Sequence, residues 1–237
     1  MSQQGGSQNG SIDWTQWVPI FPLPNAVLMP RHILPLHVFE PRYRAMTHDA
    51  LTSGRLIGIA LLKPGYETKY HTLEAEIHSV VGVGRIRREE RLPDGRYNFL
   101  LQGLTRARIL DENRKLQYRR ARLEPIAPQP APCEVELNYR MNLKRLLSSP
   151  PLRELAIQAN WLGLFDCPDL SFSDLLDVLA AAVFPCSEEK QTFLEEPRVA
   201  KRAQCLCAML EMYREQAHLL CDKSTRARSW PPINCEN

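Results

Sequence analysis

The chain has 237 residues, 44% of them hydrophobic and 24% charged, with 30 Lys and Arg against 27 Asp and Glu for a net charge of +3. That is the composition of a soluble globular protein with one large domain or two small ones. The longest apolar run, Val178–Phe184, falls far short of the ~20 residues of a membrane helix, and the Gln-, Gly- and Ser-rich start has neither the basic nor the apolar region of an export signal, so neither a membrane protein nor a secreted one is expected.

Residues 1–16 read as a disordered leader. Trp17–Phe21 and Ala26–Met29 are short apolar pieces separated by Pro22 and Pro24. Pro35–Phe39 alternates like a strand, with Leu36 and Val38 on one side and His37 on the other. Pro41 opens a helix that runs to Leu51, because proline loses no hydrogen bond in a first turn. Arg55–Leu62 is a strand, and residues 66–78 form a polar loop with some strand character. Val80–Arg88 and Tyr97–Gly103 flank Asp94-Gly95, whose glycine supplies the positive φ of a tight hairpin. Thr105–Leu110 and Tyr118–Ile126 complete a set of short strands without βαβ rhythm. The expectation is a closed or nearly closed antiparallel barrel over 17–126.

Residues 127–132, Ala-Pro-Gln-Pro-Ala-Pro, form a linker, and helices fill 133–222 before a tail at 223–237. They are expected at Val135–Leu147, Arg153–Leu162, from Ser171 or Ser173 to Phe184, at Ser187–Leu194, and from Pro197 onward. The fourth and the last of these stretches stand apart: Ser187–Leu194 is short, whereas the last carries Val199, Ala203, Leu206, Leu210, Tyr213, Ala217 and Leu220 at helical steps, a packing face. The third helix buries Leu175, Leu176, Leu179, Ala182 and Val183.

Charge is unevenly spread. Residues 85–122 hold twelve Lys or Arg against five acids, and residues 133–222 hold nine against fourteen. Three alternating arginine pairs stand out: Arg85 and Arg87, Arg106 and Arg108, Arg120 and Arg122. Residues two apart on a strand share a face, so these six guanidinium groups could stud one outer face of the barrel and bind an acidic peptide or RNA. The plainer reading is a solvated exterior with ion pairs to Glu89, Glu90, Asp111 and Glu112.

Signs of catalysis are weak. Gly82-x-Gly84 lacks the third glycine and the following helix of a dinucleotide fingerprint. Cys205 and Cys207 point about 200° apart on a helix and cannot close on one metal. The seven cysteines, at 133, 167, 186, 205, 207, 221 and 235, read as reduced cytoplasmic thiols. His32, His37 and His48 have no nucleophile with an orienting third group. Glu40 can cap the helix that Pro41 opens, or pair with a nearby arginine. No cofactor and no metal is expected.

Several stretches resemble the Lon N-terminal domain family, the substrate-binding portion of Lon proteases. They are Ile20–Pro30, Pro35–Met46 (Pro-Leu-His-Val-Phe-Glu-Pro-Arg-Tyr-Arg-Ala-Met), Leu92–Arg106 and Glu189–Glu195. The resemblance covers about Trp17 to Tyr213. It implies an α+β fold, a PUA-like barrel followed by a helical bundle, and a role in holding unfolded proteins, peptides or a protein partner, without the ATPase and protease domains of the full enzymes. The expected function is therefore a non-enzymatic cytoplasmic binding module, an adaptor in protein quality control, with RNA binding through the arginine face as the alternative. Phe39, Glu40, Pro41, Arg42 and Tyr43, with Asp94 and Gly95, are expected to lock the scaffold, and apolar anchors are expected at the seam of barrel and helices.

Overall fold

A computed structural model describes residues 12–224, with side chains to residue 216. The expected leader and tail therefore lie largely outside the described residues, as do Cys235 and the side chains of Ala217, His218, Leu220 and Cys221. Six strands form one mixed sheet: β1 (Val18–Leu23), β2 (Ile33–Val38), β3 (Leu56–Leu61), β4 (Val80–Arg91), β5 (Tyr97–Asn113) and β6 (Arg119–Pro125). The helices are α1 (Pro41–Thr52), α2 (Cys133–Ser148), α3 (Leu152–Gln158), α4 (Phe172–Val183), α5 (Ser187–Glu195) and α6 (Val199–Ser224).

The sheet order is β2-β5-β4-β3-β1-β6, and β6 pairs back onto β5. The pairings thus close a ring of five strands, with β2 attached outside it. One pair, β1 with β3, is parallel, so the expected antiparallel arrangement holds for every pairing but that one. All five ring strands feed one small-residue core of Val18, Ile20, Ala60, Val81, Val83, Ala107, Ala121 and Leu123. Small side chains suit the narrow interior that few strands enclose.

A second core lies on the other face of the wall. Phe21, Leu28, Ile57, Ile59, Ile86 and Leu101 pack there against Tyr43, Met46 and Ala50 of α1. The Ala26–Met29 piece is not a strand, yet Val27, Leu28 and Met29 are buried. Its backbone runs so close to the wall that a Cβ on Gly82 would collide with the Leu28 carbonyl, and one on Gly103 with the Met29 carbonyl. The glycines that loosely resemble a nucleotide fingerprint exist for this close approach.

The region expected as two strands, Tyr97–Gly103 and Thr105–Leu110, is one strand, β5, with a bulge. Val83 pairs Thr105 and Gly84 pairs Gly103, leaving Leu104 over. The hairpin forms where Asp94-Gly95 places it, with Gly95 at φ 82° and its N–H donating to the Leu92 carbonyl. The loop after β3 holds a 3₁₀ turn at Glu67–Lys69 and one bridge, Leu62 to Ile77.

The chain divides into two compact units. Residues to Pro128 and Ala180–Pro197 form the first, and Gln129–Leu179 with the residues from Arg198 onward form the second. Helix α5 therefore belongs with the sheet, although its sequence sits inside the expected helical part. Gln191 of α5 donates its side-chain amide to the Val80 carbonyl of β4, at 2.9 Å. Arg106 closes the helix end: its Nη1 donates to the carbonyls of Leu194 (3.1 Å), Glu196 (3.2 Å) and Phe193 (3.5 Å). The last carbonyls of a helix have no partner within it and carry partial negative charge, which a cation answers.

In the second unit α2 packs on α6, and Val199, Ala203, Leu206 and Leu210 of α6 are buried as their spacing predicts. In α4, Leu175, Leu176, Leu179 and Val183 are buried, but Ala180 takes the inward place expected for Ala182, which is exposed. A step of four from Leu176 falls on Ala180, not on Ala182. The fully buried Arg202 is held by Asp177 at 2.6 Å and Ser173 at 2.7 Å. Cys205 is exposed and Cys207 buried, as residues two apart on a helix must be. Among the described residues no helix is long and apolar enough to cross a membrane.

Replacing Arg106 with Met should cost about 2–4 kcal/mol, because it removes the buried cationic donor to the Leu194 carbonyl and its neighbours. Arg108→Met, at an exposed position of the same strand, should stay within about 0.5 kcal/mol. Urea unfolding of both variants checks this; equal midpoints would refute the capping role.

Candidate functional site

The strand register decides where the six arginines go. Gly82 stands opposite Arg106 and Val80 opposite Arg108, so those two share a face with the even-numbered residues of β4. Arg85 is odd-numbered and lies on the other face, opposite Gln102. The three pairs therefore do not form one surface. Arg106 is also 3% exposed and engaged with α5, so it is no part of an open face. On the exterior, Arg108 stands opposite Glu124 and Arg122 opposite Asp111, while the Arg122 guanidinium sits 5.1 Å from the Trp17 ring. Of the acids expected as partners, Asp111 stands opposite Arg122, while Glu112 pairs with Arg114 and Arg119 and Glu89 with Arg55.

Arg85 and Arg87 lead elsewhere. Strands β2, β5 and β4 form a three-stranded ribbon with α1 on one face. Its other face reads in cross-strand rows: Ile33–Gln102–Arg85, Pro35–Leu100–Arg88 and His37–Asn98–Glu90. A bulge between Ile86 and Arg88 leaves Arg87 unpaired, so Arg87 and Arg88 both turn to this face. The Arg87 Nε donates to Gln102 Oε1 at 2.5 Å. A groove of about 740 Å³ lies over the ribbon, lined by Pro35, His37, Leu100, Arg88 and Glu90 among others.

A polar chain crosses one end of the groove. Arg96 Nη1 lies 3.4 Å from His37 Nε2, and His37 Nδ1 lies 2.6 Å from Asn98 Oδ1. Asn98 Nδ2 then donates to Glu90 Oε2 at 3.3 Å. Arginine can only donate, so His37 accepts at Nε2 and donates at Nδ1. The imidazole is fixed as a wall of the groove, and the groups that touch it, Asn98, Arg96 and Phe39, are not nucleophiles. Around the groove stand two large exposed apolar side chains, Ile33 at 50% and Phe39 at 60%.

Phe39 is the clearest departure from expectation. In β2 the even positions, Leu34, Leu36 and Val38, face the core, and the odd positions face out. Phe39 continues the odd series and stacks on His37 at 6.2 Å; it does not lock the scaffold. Tyr43 does, buried 4.4 Å from Phe21, where burial pushes its hydroxyl pKa up to about 12. Glu40 makes no side-chain cap on α1 but pairs with Arg42 at 2.9 Å. Arg42 in turn donates to the Tyr70 carbonyl at 3.1 Å and lies over the Tyr43 ring at 4.4 Å. The buried Arg119 meets the Leu73 and Ala75 carbonyls of the same loop. Burial draws its guanidinium pKa down against the opposing pull of Glu112.

The family model of the ATP-dependent protease La (LON) substrate-binding domain matches residues 17–212. The Lon protease of Anaeromyxobacter dehalogenans (strain 2CP-C) is 28% identical over 202 residues, 84% of this chain and 23% of that protein. Lon protease 2 of Myxococcus xanthus is 28% identical over 207 residues, 86% of this chain and 24% of that protein. The chain spans about a quarter of the length of these curated relatives. Among solved structures, the N-terminal domain of a Mycobacterium avium complex Lon protease superposes with a TM-score of 0.61 at 18% identity, covering 83% of this chain and 98% of that one. A Lon N-terminal domain protein from Xanthomonas campestris gives 0.57 at 22% identity, covering 81% and 98%. These two likenesses show the fold.

The two aromatics of the corner should separate in a stability measurement. Phe39→Ser should change the unfolding free energy by no more than about 0.5 kcal/mol, as at other exposed positions. Tyr43→Ala should cost about 3–5 kcal/mol, the range for emptying a buried aromatic site. A large loss for Phe39→Ser would put that ring back in the core.

Proposed function

The chain belongs to the ATP-dependent protease La (LON) substrate-binding domain family, and on that premise we propose that it captures unfolded or extended polypeptide without catalysing any reaction. The observation that carries the reading is the groove on the β2–β5–β4 ribbon, with exposed Ile33 and Phe39 beside it. Exposed apolar side chains next to a concave surface are what an unfolded segment offers its own apolar residues to. The flanking Arg88, Glu90 and Asn98 give a mixed polar rim, which suits many sequences rather than one.

The relatives are Lon proteases, so we place the module in protein quality control, where it would hold a substrate for a proteolytic machine. The cytoplasm is the fitting setting: Cys133, Cys167 and Cys186 are exposed thiols outside any disulfide, a state that a reducing compartment preserves. An RNA-binding role draws little support from the geometry, because the arginines are divided between two faces and two of them, Arg108 and Arg122, stand opposite carboxylates.

A permanently unfolded, carboxymethylated polypeptide carrying a fluorescent label should raise its anisotropy on binding. The Ile33→Ser, Phe39→Ser double variant should bind at least about tenfold more weakly, the loss of two apolar anchors. Raising salt from 0.05 to 0.5 M should weaken binding by no more than about fivefold, the scale of a few exposed ion pairs, whereas a phosphate-based ligand would dissociate steeply. Unchanged binding by the double variant would refute the site.

A further inference from the structure

The face of the ribbon toward α1 carries a second concavity, of about 450 Å³. Arg44 and His48 of α1 line it with Arg91 of β4, over a floor that includes Pro41, Ala45 and Tyr97. Arg44 and His48 are four residues apart and share a helix face. The Arg91 guanidinium stands 6.0 Å from the centre of the Tyr97 ring. The Arg44 guanidinium lies against Gly95, where a Cβ would collide with it. The hairpin glycine thus serves the pocket as well as the turn.

No carboxylate lines this pocket. Asp94, on the same turn, accepts from the Arg96 backbone N–H at 3.0 Å and pairs with Arg96 Nε at 2.6 Å. Among the described residues neither Arg44 nor Arg91 has a carboxylate within ion-pair distance. Other arginines of this unit do: Arg42 with Glu40, Arg55 with Glu89, Arg119 with Glu112. Arg44 feels the Asp94 carboxyl without forming an ion pair with it, so two guanidinium groups with no ion pair of their own converge on one concavity, from a helix and from a strand.

We propose that this pocket is an oxyanion site that takes the carboxylate of an acidic residue in a bound polypeptide. The proposal rests on the polypeptide-binding reading and adds a charge preference to it. A guanidinium fork matches the two oxygens of a carboxylate. The pocket adjoins the groove along the chain: Arg91 follows Glu90 and Tyr97 precedes Asn98, the second of each pair lining the groove. A nucleic-acid backbone is a poorer fit, since it needs cations strung along several phosphates and this pocket holds two arginines.

Two peptides of 15 residues test it, identical in apolar pattern and neutral dye, one with two Glu and the other with Gln in their place. At 0.15 M salt the Glu peptide should bind the wild type about fivefold more tightly, the scale of partly exposed charge-assisted pairs. In Arg44→Gln, Arg91→Gln that advantage should vanish while the Gln peptide binds as before. Equal affinities in the wild type, or an advantage that survives in the variant, would overturn the proposal. Inorganic phosphate reads the pocket alone: the Arg44 and Arg91 Nε–H resonances should shift at millimolar phosphate and those of Arg108 should not. Absence of that shift overturns the oxyanion site even if both peptides bind. If neither peptide binds, the polypeptide reading fails and this proposal with it.

Discussion

A guanidinium buried against the end of a helix holds the first unit together. Arg106 leaves the ring of strands on its outer side and gives the carbonyls at the end of α5 a buried cationic donor. A helix far along the chain thereby becomes part of the sheet unit. The same device recurs at the loop after β3, where Arg42 and Arg119 hold the carbonyls of Tyr70, Leu73 and Ala75. Arginine does this where lysine could not, because its planar fork can address several acceptors at once.

With the loop and α5 held this way, the β2–β5–β4 ribbon is free to extend beyond the ring. One of its faces is covered by α1 and the other stays open. The open face carries apolar side chains that the core did not take up, and the covered face ends in a pocket lined by Arg44, His48 and Arg91. Rigid wall, open groove and charged pocket meet at one hairpin, whose tight turn depends on Gly95 at φ 82°.

Much of this was legible in the sequence because the signals were local. The β2-to-α1 corner, the Asp94-Gly95 hairpin, the α6 packing stripe and the alternation of Leu36, His37 and Val38 all depend on near neighbours. What could not be read were the bulges at Leu104, Arg87 and Leu110, each of which shifts the strand register by one residue. A two-residue alternation cannot survive such shifts, and it cannot show which strands the ring brings together; so Arg85 and Arg106 looked equivalent and are on opposite faces. Phe39 could have been placed by following the β2 alternation one step further. Arg106 could not, since nothing near it in sequence names α5 as its partner. Gly82 and Gly103 likewise answer to Leu28 and Met29, more than fifty residues away.

The central claim is that the open face of the ribbon is where polypeptide binds. Amide NMR of the intact chain, titrated with an unlabelled unfolded polypeptide, tests it most directly. The account predicts that the largest shifts fall on Ile33–Phe39, on Arg87–Glu90 and on Asn98–Leu100. Shifts centred on Arg108, Arg120 and Arg122, with the ribbon unmoved, would contradict it.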